Sequence, residues 1–163
     1  MATKKESNIR ITKVKRLLES VTIEWGVPRK DGGFNKMTLK SSDLPTPDFE
    51  ASIEELKPFL IQLCEVEKLD DKLIKATGIT LTYNDKKDSL SVAISGNKTY
   101  ENSPGCLNLI SSSKPTLNQT GEPTAIENIL SDECVAVIDK VIKHAKSFVD
   151  GDRIQVEMLP EDE

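Results

Sequence analysis

Residues 37–64 read MTLKSSDLPTPDFEASIEELKPFLIQLC, and the change of period inside this stretch decides the fold class. Met37 and Leu39 alternate with polar neighbours, as in a half-buried strand. Pro45 and Pro47 then end any ladder, because neither offers a backbone N–H. Thr46 has the side chain of an N-cap, Pro47 suits the first helical position, and Asp48 and Glu50 lie where the helix dipole favours negative charge. Phe49, Ile53, Leu56, Leu60 and Leu63 recur at steps of four and three, giving one apolar stripe that needs a sheet to cover it. Pro58 removes the hydrogen bond to Glu54, so the helix is expected to kink or restart near Lys57.

The sheet is legible on both sides of this helix. Upstream, in NIRITKVKRLLESVTIEWGV, Ile9 and Ile11 and then Val21, Ile23 and Trp25 share one side, with Arg10, Thr12, Thr22 and Glu24 on the other. This alternation predicts two strands, and the turn at Asp31-Gly32-Gly33 leads to a third through Met37 and Leu39. Downstream, Ile79, Leu81 and Tyr83 alternate on one arm and Leu90, Val92 and Ile94 on the other, around the charged turn NDKKD. That pattern is an antiparallel hairpin. CLNLI, residues 106–110, reads as a further short strand, and residues 111–124, SSSKPTLNQTGEPT, as a mobile surface loop. Ser131 caps a second helix whose stripe is Cys134, Ile138, Val141, Ala145 and Phe148, ended by Asp150-Gly151. Ile154, Val156 and Met158 alternate again, as an edge strand or a partner-binding arm.

The expected architecture is a single α+β domain over residues 1–163. Its antiparallel sheet has about five to six strands, in the element order β-β-β-α-β-β, with two helices packed on one face. Residues 1–7 are expected to be a disordered tail and 159–163 an acidic one. A chain of 163 residues with 37% hydrophobic and 30% charged side chains suits one globular domain. No apolar run reaches the ~20 residues of a membrane span, and MATKKESNIR has no apolar signal core behind its lysines, so the reading is cytoplasmic.

Charge is distributed unevenly. Residues 1–40 hold ten basic and four acidic side chains, a net of +6, so the rest of a chain of net −5 carries −11. Arg10, Lys13, Lys15 and Arg16 make a basic strand, and Lys140, Lys143 and Lys146 a basic helix face beside His144. On one side of the fold the two would form a single cationic surface for single-stranded nucleic acid. Stacking aromatics, which usually accompany such surfaces, are scarce at 4%.

Catalytic chemistry has little to stand on. The phosphate loop, the dinucleotide fingerprint, the nucleophile elbow and the zinc-helix motif are all missing. His144 is the only histidine, and the cysteines, Cys64, Cys106 and Cys134, are three in number and widely spaced, which argues against a disulfide framework or a metal site. No cofactor is expected. Cys106, after the turn SPG, is the sole candidate nucleophile of a thiol-dependent enzyme, with His144 as its base.

Three stretches, LKSSDLPTPDFEASIEELKP, TGITLTYNDKKDSLSVAI and LSDECVAVIDKVIKHAKSFVDGDR, resemble a small family of uncharacterised proteins encoded by bacteriophages and prophages, some of them near recombination or single-strand-binding genes. The resemblance implies no catalytic motif. The expected function is therefore a non-enzymatic binding or accessory protein of phage or prophage origin, meeting a protein partner through an exposed strand edge or the basic helix face. The alternative is an accessory factor in phage DNA recombination or replication with weak single-strand binding, and self-association through a strand edge is also open.

Overall fold

The computed structural model describes residues 9–65, 72–84, 89–116 and 130–151. Strands β1 (Arg10–Arg16), β2 (Val21–Pro28) and β3 (Phe34–Ser41) form an antiparallel meander. Helices α1 (Pro47–Glu54) and α2 (Lys57–Leu63) follow, then the hairpin β4 (Ile74–Asn84) and β5 (Ser89–Thr99), the short strands β6 (Cys106–Ile110) and β7 (Lys114–Pro115), and α3 (Asp132–Val149). The strands make one sheet in the order β3-β2-β1-β4-β5-β6, with β7 also on β5. This is the expected α+β architecture, with β6 where CLNLI predicts it and the short β7 as an addition.

Both helix starts follow the sequence signals. Thr46 Oγ1 accepts from the Phe49 amide at 3.3 Å and Ser131 Oγ accepts from the Cys134 amide at 3.2 Å, each with acids in the first turn. The first helix breaks at Glu55 and Leu56 and restarts at Lys57, as Pro58 requires. All three helices lie on one face. Helix α1 packs on α3 and β4, α2 on β4 and β5, and α3 on β1. Between the layers Ile11, Val14, Ile23, Ile79, Val92 and Ile94 meet Phe49, Leu56, Leu60, Ile138, Val141 and Phe148, all buried.

Two β-bulges depart from simple alternation. The register of β1 shifts between Ile11 and Lys13, and that of β4 between Ala76 and Gly78. Without the first, Lys13 would follow Ile11 into the core; with it, Val14 takes the inner position and Lys13 faces outward. The stretch read as a mobile loop from 111 begins instead along the sheet. Ser111 donates its amide to the Ile94 carbonyl and accepts the Ile94 amide at its hydroxyl, and β7 continues on Ser91 and Val92. The rest of that stretch, the strand expected over 154–158, and the tails 1–7 and 159–163 lie outside the described residues.

Candidate nucleic-acid interface

Among the described residues the seven strands hold nine lysines and arginines and a single acid, Glu24. The sheet is thus strongly cationic inside a chain of net charge −5. Since the helices bury one face, the register sorts these cations between the two sides. Lys13 and Lys15 pair with Glu24 and Thr22, and Lys36 and Lys40 with Gly26 and Thr22, all in the outward set, while Val14, Val21 and Ile23 occupy the inward set. Arg10, opposite Gly26, and Lys75, opposite Asn97, belong to the same outward face. Among the described residues no helix covers it.

The strand geometry spaces these charges for a chain-like ligand. Lys13 and Lys15 are separated by about 7 Å along β1, and β1 and β3 by about 10 Å across the sheet. At the centre, Glu24 accepts from Lys36 Nζ at 2.7 Å and lies 3.8 Å from Lys13 Nζ. The hydrogen bond from Lys36 holds the Glu24 carboxyl below its usual range, against the opposing effect of burial. At one end the Arg10 guanidinium lies 4.3 Å from the centre of the Phe34 ring and 5.1 Å from that of Tyr83, whose hydroxyl donates to the Ile11 carbonyl at 2.9 Å. Such cation–π contacts hold the planar cation at the rim of the face.

The expected residues divide between two surfaces. Arg10, Lys13 and Lys15 lie on the open face. Arg16 turns to the helix side, where Nε and Nη2 donate to Glu50 Oε1 at 3.1 and 3.0 Å and Nη1 donates to the Leu17 carbonyl, so it ties α1 and the β1–β2 turn to the sheet. Lys140, Lys143 and Lys146 ride on α3, on the opposite side of the sheet from the open face, and Lys140 pairs with Glu55 at 3.4 Å. The single surface joining the two basic segments is therefore not assembled. Lys36, Lys40 and Lys75 take the place of the helix lysines; the signal for them was the near absence of acids from every strand.

The thiol constellation is not assembled either. The His144 ring stacks on Phe49 with centroids 6.2 Å apart, inside the α1–α3 contact. Cys106, on β6, pairs with Thr99 of β5 and lies three strand steps, or about 14 Å, from the β1 strand beneath α3. Burial raises the Cys64 thiol and pushes Cys134 up to about 11, away from thiolate reactivity. Among the described residues no group of three or more His, Cys, Asp or Glu side chains could hold a metal ion, and no helix is long and apolar enough to cross a membrane. The chain matches no protein-family model, no curated protein and no solved structure.

Proposed function

We propose that the protein is a non-enzymatic binding protein whose open sheet face receives a single-stranded nucleic acid through its phosphates. The observation that carries this is the charge sorting: six cations face outward against one carboxylate, on a sheet whose other side is closed by the helices. Few aromatics accompany them, so affinity would come from phosphate contacts and vary little with base sequence. The resemblance to phage and prophage proteins with genes near recombination or single-strand-binding genes agrees with this reading and carries no weight alone.

Phosphate contacts release condensed counterions, so binding to a labelled oligothymidylate should be measurable at ~50 mM salt and fade by ~200 mM, with a logarithmic slope of about −0.7 per phosphate neutralised. Reversing Lys13→Glu and Lys15→Glu together should weaken binding at least about tenfold for every sequence alike. Reversal at Lys143 and Lys146, on the other side of the molecule, should change it little. An equal loss from both pairs would place the ligand elsewhere.

A second reading, contact with a protein partner, is favoured by the outer edge strand, where Leu107 is 48% and Ile110 73% exposed. Among the described residues no strand pairs with the outer edge of β6, and exposed apolar groups on such an edge favour strand addition. A partner held there should be lost on Ile110→Asp and be indifferent to Lys13→Glu and Lys15→Glu; the reverse pattern would remove this reading.

A further inference from the structure

Glu24 stands at the centre of the cationic face and, among the described residues, is the only acid in any strand. Its two carboxylate oxygens are divided between two lysines on different strands, Oε1 taking Lys36 at 2.7 Å and Oε2 facing Lys13 at 3.8 Å. A phosphate that approaches either lysine meets a carboxylate that already offsets part of the lysine's charge. A lone anion exchanges one contact for another and gains little. A strand that also reaches Lys15 and Lys40 brings contacts for which Glu24 does not compete.

Resting on the face proposed above, we infer that Glu24 is a specificity-determining residue that makes the face select chains of phosphates over single anions. It holds Lys13 and Lys36 back from phosphate, so a strand binds through Lys15 and Lys40, for which Glu24 does not compete. Glu24→Gln keeps the size of the side chain and removes its charge, so the lysines are released with the strand unaltered. The full-length variant should bind oligothymidylate more tightly than wild type, with a salt slope steeper by about 0.7 to 1.4, corresponding to one or two added phosphate contacts.

Removing any negative charge helps a polyanion, so the decisive measurement is coupling. In a Lys13→Gln, Lys36→Gln background the added Glu24→Gln should bring almost none of that gain. Inorganic phosphate should shift the amide resonances of residues 13, 24 and 36 in Glu24→Gln and leave them unmoved in wild type. An equal gain in both backgrounds, an unchanged slope, or the same phosphate response in both proteins overturns the inference while leaving the face reading intact. If neither wild type nor any variant binds oligothymidylate at ~50 mM salt, the face reading fails and the inference with it.

Discussion

Gly78→Ala is expected to lower the stability of the protein by at least about 3 kcal/mol, at the upper end of what overpacking costs. The two halves of the sheet, β3-β2-β1 and β4-β5-β6, meet only where β1 pairs with β4, through Lys13 with Thr80, Val14 with Ile79 and Lys15 with Gly78. A Cβ at position 78 would lie 1.8 Å from the Val14 carbonyl oxygen and 2.7 Å from its carbon. Both are backbone atoms of the neighbouring strand, so no rotamer change relieves the overlap and β1 must move away from β4. Each kcal/mol moves the midpoint by about 2–4 °C in a chain of this size, so thermal denaturation should show a Tm lower by about 6 °C or more. Thr80→Ala, two residues along β4 and exposed, should stay within about 0.5 kcal/mol. A Gly78→Ala protein within about 1 kcal/mol of wild type would mean that the seam is looser than its geometry.

That glycine also marks the limit of what could be read from the chain. The caps at Thr46 and Ser131, the break at Pro58 and the arms of the β4–β5 hairpin are local: each follows from residues within a few positions of one another, and each is where the sequence places it. The bulges at Thr12 and Thr77 are not local. Ile9, Ile11 and the lysines after them alternate cleanly, and only the pairing of Val14 with Ile79, far along the chain, determines which of them points inward. A one-residue insertion reverses every side chain beyond it, so the fate of Lys13 and Arg16 was not legible from β1 alone. The basic character of β1 was legible. Its union with Lys36, Lys40 and Lys75 depended on knowing which face the helices cover, and the separation of Arg16 depended on Glu50, which meets it only across the α1–sheet contact. The residues from Ser111 to Thr116 read as loop because Ser, Pro and Thr carry no period, yet one hydroxyl, Ser111, satisfies the β5 backbone where a strand residue would.

Phe49→Ala tests whether the two layers act independently. Phe49 is buried at the head of α1, with its ring edge-on to Phe148 at 5.8 Å and stacked on His144 at 6.2 Å, so one side chain fastens α1 to α3. Truncation leaves a cavity between helices that the sheet holds in place and that cannot close freely, for a loss of about 3–5 kcal/mol. The aromatic pair with Phe148 contributes about 0.5–1.5 kcal/mol beyond the buried area. Denaturant titration should show this as a lower midpoint with an unchanged slope, since the surface exposed on unfolding is nearly the same. None of these contacts reaches the outward set of side chains, which are positioned by strand pairing and by Glu24. At a temperature where the variant is still folded, its affinity for oligothymidylate and its salt slope should therefore equal those of wild type. Gly78→Ala, in contrast, should reduce both stability and binding, because Lys13 and Lys15 ride on the strand it displaces. Loss of oligonucleotide affinity in folded Phe49→Ala protein would move the ligand to the helix side, to Lys140, Lys143 and Lys146.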